Sequence, residues 1–459
     1  MKRQGSGNSG QGSRPVKSPA GGESKKNQST VEKRPRSGSG KPETESSAKV
    51  TPARMAAFEI LRLVGEGKGH SDELLHSVRL EALSGEDRNL TTALVMGVLR
   101  WQIALDARIG LLLQRPDQRL AEPVAIALRI GAFQLLHMDR IPAHAALSES
   151  VELCKAAGEP HAAGMVNAIL RKVATAPRQG PKLHESTTAF AERLGHPLWM
   201  VERWVKEYGR VAAMKICEAD QREPAEGGMF AESGSDWPQM DDGSRLVAEI
   251  AAAAMPKARR VWDCCAAPGG KTLVLARRLG EAEILASDVS AKRLAQMEAR
   301  LRRYSYTERV RFEIADASDA MGIEGSFDLI LCDAPCSGTG TLAENPEIRH
   351  RLKVGEFVRQ AERQNSILQG ALKRLAPGGR LVYSTCSLEP EECERVVETV
   401  LRGGGVRMIP VDGLLAELGD QGIFLGEVEL SSAVRDGALR TLQGVDACDG
   451  FYAVVLERE

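Results

Sequence analysis

The chain has no run of about eighteen consecutive apolar residues, so the sequence offers no membrane-spanning helix. Its first residues hold no apolar stretch of the kind that secretory leaders carry. Its nine cysteines form no paired framework, which in 459 residues fits free thiols in a reducing cytoplasm rather than a disulfide scaffold. A resident metal is not expected: the adjacent Cys264 and Cys265 cannot easily face one ion, and no second close pair answers them. Net charge is nearly absent, at −1. The expectation is a cytoplasmic monomer with no membrane contact and no metal.

What is present is enough apolar residue, 42%, for real cores, in a chain longer than one compact domain usually is. Charge is placed unevenly. Residues 1–49 hold eleven Lys and Arg against four Asp and Glu, which is +7 and leaves −8 for the remainder. A basic segment on a mildly acidic body points to a polyanion nearby, although a solvated extension explains the same charge. This segment is rich in Gly, Ser, Lys and Pro and has almost no large apolar residues. It cannot bury enough surface to offset ordering entropy, so it is expected to be disordered.

Thr51-Pro52 has the form of a helix cap followed by a first-turn proline. Ala57, Ile60, Leu61 and Val64 follow at helical spacing, and Gly65 and Gly67 end the run. Leu90, Leu94 and Val98 form a stripe, Pro123 opens a segment with Ile126, Ile130 and Leu135, and 148–157 and 162–173 complete the set. Strand-like alternation is almost absent here, so 50–175 reads as a compact all-α domain. Residues 176–240 read as a helical connector, in which Trp199, Val201 and Trp204 are packing residues. From 241 the texture changes. A helix at 244–254 precedes strands at 260–263, 284–288, 310–314, 327–333, 380–384 and 451–456, interleaved with helices at 272–279, 291–303, 356–375 and 390–401. That alternation gives a mostly parallel sheet with helices on both faces, over 241–459. Such sheets bind ligands at the carboxyl ends of their strands.

The informative residues stand there. The first strand runs into Cys265, Ala266, Ala267, Pro268, Gly269, Gly270 and Lys271, a turn that lets backbone approach a ligand at a helix N-terminus. A phosphate-binding loop of the Walker type is disfavoured, because Cys265 stands where that motif needs glycine and Pro268 lacks an N–H. A plain strand–helix turn remains open from this segment alone. Asp288 ends the second strand, where a carboxylate suits a ribose, and Asp316 follows the third, where one suits an adenine amino group. Each alone also fits a helix cap. The ordered set describes an adenosine-bearing cofactor across the top of the sheet. The fourth and fifth strands end in Asp333-Ala334-Pro335-Cys336-Ser337-Gly338-Thr339-Gly340 and Tyr383-Ser384-Thr385-Cys386-Ser387. A lone cysteine is usually a small buried hydrophobe, and Cys154, Cys217, Cys332, Cys393 and Cys448 are read so. Two at adjacent strand ends are not.

These motifs, with Pro377-Gly378-Gly379-Arg380 before the fifth strand and Asp449-Gly450-Phe451-Tyr452 at the last, resemble the Nol/Nop/Sun family of RNA cytosine-5 methyltransferases. Val166-Asn167-Ala168-Ile169-Leu170-Arg171-Lys172 resembles the last helix of a NusB-like RNA-binding domain, and the combination resembles the bacterial RsmB type, which acts on 16S ribosomal RNA. The resemblance spans about residues 50–459. It implies an all-α NusB-like domain followed by an α/β Rossmann-like class I methyltransferase domain. It implies S-adenosylmethionine as cofactor, held by the loop 265–271, Asp288, Asp316 and Asp333. It implies Cys386 as nucleophile, Cys336 as the cysteine that helps release product, Asp333 beside the base, and ribosomal RNA as partner. One departure stands out: the stretch between Ala219 and Asp241 is short and Gly-rich where relatives carry a sizeable RNA-binding subdomain, which bears on target choice. Two other readings are a non-catalytic RNA-binding or assembly protein, against which both cysteine motifs count, and an NAD-dependent dehydrogenase, against which the missing Gly-x-Gly-x-x-Gly counts. Another RNA, such as tRNA, is the alternative substrate.

Overall fold

The computed structural model describes residues 50–459 except 78–79, 116–118, 178–179, 181–183, 225–227, 235–236, 320–321, 427 and 429. The basic segment 1–49, expected to be disordered, lies outside the described residues. Helix α1 (Pro52–Gly65) starts at the proline, whose fixed φ suits a first turn. Thr51 holds the cap position but makes no side-chain cap. Its N–H and hydroxyl both go to Glu149 Oε2, at 2.9 and 2.7 Å, and Arg54 meets the same carboxylate at 3.0 Å. A partner distant in sequence has displaced the local one.

Helices α2 (Ser71–Leu75), α3 (Gly85–Gly110), α4 (Glu122–His137), α5 (Ala143–Ala156) and α6 (Ala163–Thr175) complete the helical part. Leu94, Val98, Ile126, Ile130, Val166 and Leu170 meet in one core. Gly97 lets α3 lie against α4, since a Cβ there would fall 1.9 Å from the Phe133 ring. After α7 (Thr187–Arg193), helix α8 (Leu198–Ala219) runs through the expected helical connector, bent where Gly209 adopts φ 81°. Val201 and Trp204 are buried as expected, and they share a cluster with Leu342, Leu388 and Leu442 of the sheet part.

Helix α9 (Asp242–Ala254) is capped by Asp241, which accepts from the Ser244 N–H at 2.5 Å. Then come β1 (Arg260–Asp263), α10 (Gly270–Arg278), β2 (Glu283–Asp288), α11 (Ala291–Leu301), β3 (Val310–Ile314), β4 (Phe327–Asp333), α12 (Ile348–Arg351), α13 (Gly355–Leu372), β5 (Leu375–Thr385), α14 (Glu394–Gly403), β6 (Val406–Ile409), α15 (Asp412–Asp420), β7 (Val434–Arg435), β8 (Ala438–Arg440) and β9 (Tyr452–Arg458). The sheet order is β3-β2-β1-β4-β5-β9-β8-β7, with β6 also on β9. The first five strands are parallel and β9 is antiparallel to β5. α9, α10, α11 and α15 cover one face; α13 and α14 cover the other. The expected helix 390–401 breaks into a turn, Pro390–Glu392, and α14, because Cys393 (φ −122°, ψ −99°) is not helical. Short α12, β6, β7 and β8 carry too few residues for a period and had no sequence signal.

The helical part is joined to the sheet through residues 342–351, just past the Cys336 loop. Arg100 donates to the Ala343 carbonyl at 2.7 Å. Glu347 accepts from the Ser71 N–H and hydroxyl at 3.1 and 2.8 Å. Arg351 donates to the carbonyls of Val64 and Gly69 at 2.7 and 2.6 Å. Arg349, buried, reaches the carbonyls of Arg100 (3.1 Å), Gly195 (3.2 Å) and Leu342 (3.3 Å).

Candidate active site

Strand β1 delivers the Gly-rich loop to the top of the sheet. The loop backbone is tied on both sides: Cys264 N donates to Leu331 O at 3.0 Å and Ala266 N to Ser287 O at 2.9 Å. Gly269 has φ 101°, a region that favours glycine, and α10 begins at the next residue. The first-turn N–H groups of that helix lack intrahelical partners, so they face the site as donors. Asp263 is buried. Its Oδ2 accepts from the Thr272 hydroxyl at 2.6 Å, its Oδ1 has no partner, and burial pushes it up to about 7.

Lys271 does not end free in the cofactor loop. Its Nζ lies 2.7 Å from Asp333 Oδ2 and donates to the Ser244 hydroxyl at 2.6 Å, with the Phe451 ring 5.4 Å away. Burial opposes its charge, but Asp333, with Asp241 behind it, outweighs burial and holds Lys271 above its usual value. Asp333 Oδ1 accepts from the Ser384 hydroxyl at 2.7 Å, so Asp333 is fixed from both sides. Asp288, buried, accepts from Ser290 N at 2.8 Å and pairs with Arg293 at 3.2 Å. Asp316 is exposed. Ser318 holds it from hydroxyl and N–H at 2.7 and 2.9 Å, and those bonds keep its carboxyl low. Both carboxylates stand at neighbouring strand ends as expected, and both also brace their own turn.

The Cys336 and Cys386 sulfurs are 3.2 Å apart. Backbone contacts lock their loops: Gly340 N donates to Cys386 O and Gly450 N to Gly340 O, each at 2.9 Å. A Cβ on Gly340 would fall 1.9 Å from Gly450 O, so the closing Asp-Gly-Phe segment and the Cys336 loop meet backbone to backbone. The Cys336 thiol is held well above its usual value by the contact with Cys386, by burial and by the nearby Glu392 charge. Cys154, Cys217, Cys332 and Cys393 are buried and Cys448 half-buried, as packing residues would be. Among the described residues no cluster of three or more His, Cys, Asp or Glu could hold a metal ion. None of the described helices is long and apolar enough to cross a membrane.

Sequence reasoning gave no role to Ser244, Ser384 and Glu392, polar residues that brace the site from α9, from β5 and from the turn before α14. It also missed Val289 and Ile314, which are 56% and 62% exposed although large and apolar. Each adjoins a strand end, one after Asp288 and one two residues before Asp316. Their exposure was the only distinguishing signal, and exposure is not written in a local period.

The fold defines a class: a NusB-type helical domain joined to a Rossmann-like, S-adenosylmethionine-dependent methyltransferase domain with a mixed sheet. Comparison with known proteins agrees. The profile of the NusB family matches residues 51–175, and that described as 16S rRNA methyltransferase RsmB/F matches 252–457. Ribosomal RNA small subunit methyltransferase B of Xanthomonas campestris is 31% identical, over 90% of this chain and 98% of that protein. The probable ribosomal RNA small subunit methyltransferase B of Bacillus subtilis is 30% identical, over 90% of this chain and 100% of that one. The solved structure of PH0851 superposes with a TM-score of 0.68 at 20% identity, covering 89% of this chain and 99% of its own, and shares the fold. The chain belongs to the RsmB/F family of 16S rRNA methyltransferases.

Proposed function

We propose that the protein methylates carbon 5 of a cytosine in 16S ribosomal RNA through a covalent adduct on Cys386. The observation that carries this reading is the pair of sulfurs 3.2 Å apart at adjacent strand ends, beside the Lys271–Asp333 pair. S-adenosylmethionine, when bound, supplies an electrophilic methyl group on a positively charged sulfur. The residues present fit it. The loop at Cys265, Ala266, Ala267, Pro268, Gly269 and Gly270 offers the α10 N-terminus to a carboxylate, Asp263 keeps an unpartnered oxygen there, and Asp288 and Asp316 suit a ribose and an adenine amino group. Exposed Val289 and Ile314 suit the apolar faces of a base.

Carbon 5 of cytosine is a poor nucleophile until carbon 6 is saturated. The Cys386 thiolate forms a bond to carbon 6, and the displaced electron pair makes carbon 5 nucleophilic. Ring nitrogen 3 takes up a proton from water as that bond forms, and the Asp333 carboxylate accepts a hydrogen bond from the new N–H, so the added charge is not left bare. The Lys271 ammonium fixes Asp333 and attracts negative charge at Cys386. Once carbon 5 carries the methyl group, its proton passes to a water molecule, that electron pair re-forms the ring double bond, Cys386 departs as thiolate, and ring nitrogen 3 returns its proton to water. Cys336, in contact with Cys386, assists this release.

The test uses two variants and labelled RNA. Cys386→Ala should reduce methyl transfer to background while leaving S-adenosylmethionine binding nearly unchanged. Cys336→Ala should accumulate a covalent protein–RNA complex on a denaturing gel. Wild-type turnover by Cys386→Ala sinks the nucleophile assignment.

A further inference from the structure

Each of the paired cysteines is followed by a serine, Ser337 after Cys336 and Ser387 after Cys386. Both serine hydroxyls donate to the same oxygen, Glu392 Oε2, and lie 3.1 Å from each other. The other oxygen, Oε1, accepts from the Ser337 N–H at 2.9 Å and from Gln364 Nε2 at 3.3 Å. That amide of α13 also donates to the Pro335 carbonyl at 2.9 Å, immediately before Cys336. The Glu392 backbone is anchored too, because its carbonyl accepts from the Tyr383 hydroxyl of β5 at 2.7 Å. Glu392 is 0% exposed, and every one of these partners is neutral. Burying a carboxylate among neutral donors is costly, and an apolar residue would fill the same space without that cost.

We propose that Glu392 is a positioning residue for both cysteines: it clamps their loops so that the two sulfurs face each other, and its charge disfavours a second negative charge on Cys336. This rests on the roles proposed above for the two thiols. The clamp is asymmetric. Ser337 binds Glu392 through hydroxyl and N–H, Ser387 through hydroxyl alone, so the carboxylate is tied more closely to the Cys336 loop. The titratable groups that act on Cys336 are Cys386, Glu392 and Tyr383, while Lys271 acts on Cys386. The upward push on the Cys336 thiol comes first from the contact with Cys386 and from burial, and the Glu392 charge adds to it in the same direction. One thiol thereby stays protonated for release while the other is left to attack.

Two measurements on the full-length chain test it, and neither needs turnover. In a Cys386→Ala background, alkylation of Cys336 by iodoacetamide is followed across pH by peptide mass spectrometry. Adding Glu392→Gln should move the profile to lower pH and speed alkylation at pH 8 by about threefold or more, since removing a nearby negative charge favours the thiolate. A purely structural carboxylate would leave the profile unmoved, and that result overturns the electrostatic half. The second variant, Ser337→Ala with Ser387→Ala, keeps the charge and removes both hydroxyl ties of the clamp, leaving the residue 337 N–H and Gln364. It should slow diamide-driven Cys336–Cys386 disulfide formation severalfold and lower kcat by about a hundredfold with KM little changed, the scale of an ångström-sized misplacement. Unchanged disulfide formation and kcat overturn the clamp. Full activity of Cys386→Ala would instead overturn the thiol roles, so the two failures are distinguishable.

Discussion

In the helical part, Arg54 is buried but meets Glu149 at 3.0 Å and Gln134 at 2.8 Å, while buried Ser150 returns its hydroxyl to Ala146 O at 2.7 Å. In the sheet part, Asp263 is buried with one oxygen unpartnered, burial holds Asp241 and Glu392 above the usual carboxylate range, and Asp449 is pushed up to about 7. The first region gives Arg54 and Ser150 full partners, and its unpartnered buried atoms, Arg100 Nε and Arg108 Nε, belong to arginines whose other nitrogens are bonded. The second keeps carboxylates where solvation would not have put them. Strongly displaced ionisable groups gather where chemistry is done, because a working group must hold a charge or proton that water alone would not assign. The helical part reaches the sheet mainly through arginines on backbone carbonyls, which fix geometry without adding chemistry.

The largest effect that would sharpen this contrast lies at the seam. Arg349→Met strips the donor from the carbonyls of Arg100, Gly195 and Leu342 and should cost about 3 kcal/mol, read as a lower urea midpoint. It should also let the helical and sheet parts unfold in separate transitions. An unchanged midpoint would mean that the seam is only a contact surface. Next comes the cofactor edge. Asp288→Ala should weaken S-adenosylmethionine binding by about 1–3 kcal/mol in calorimetry. Unaltered affinity would reduce Asp288 to a brace for Ser290 and Arg293, making this strand end resemble the helical part. The smallest effect concerns pH. Burial, with Asp241 and Asp449 nearby, pushes Glu344 up to about 8 from 4.5. A carboxyl raised in the folded state contributes stability that is complete below pH 4.5 and lost as pH rises through 8. Glu344→Gln cannot ionise, so its melting temperature relative to the native chain should rise by about 2–4 °C between pH 5 and pH 8.5. A flat difference across that range would show that Glu344 ionises freely.

The strands β1, β3 and β4 were legible to the residue, and β2 to within one, since each is a short apolar run bounded by turn residues. Cys336, Cys386, Asp333 and Asp288 were legible as residues at or just past strand ends, because a parallel sheet places those ends along one edge. Glu392 was not. It sits in Pro390-Glu391-Glu392-Cys393-Glu394, which reads as the acidic first turn of a helix, and only the turn before α14 swings it inward. Lys271 was assigned to the cofactor loop from its neighbours, whereas its ammonium goes to Asp333 and Ser244, 62 and 27 residues away in sequence.

By itself the sequence determined the two kinds of architecture and the sheet edge that carries the candidate site, since periods of 3.6 and 2 residues and the order of strands and turns are local properties. Tertiary structure alone decided that Thr51 serves Glu149 instead of its own helix, that β9 runs antiparallel beside β5, and that one buried carboxylate binds both cysteine loops. Those contacts join residues with no fixed spacing. Their energies come from burial and from partners that exist only once the chain has closed, so no local pattern encodes them.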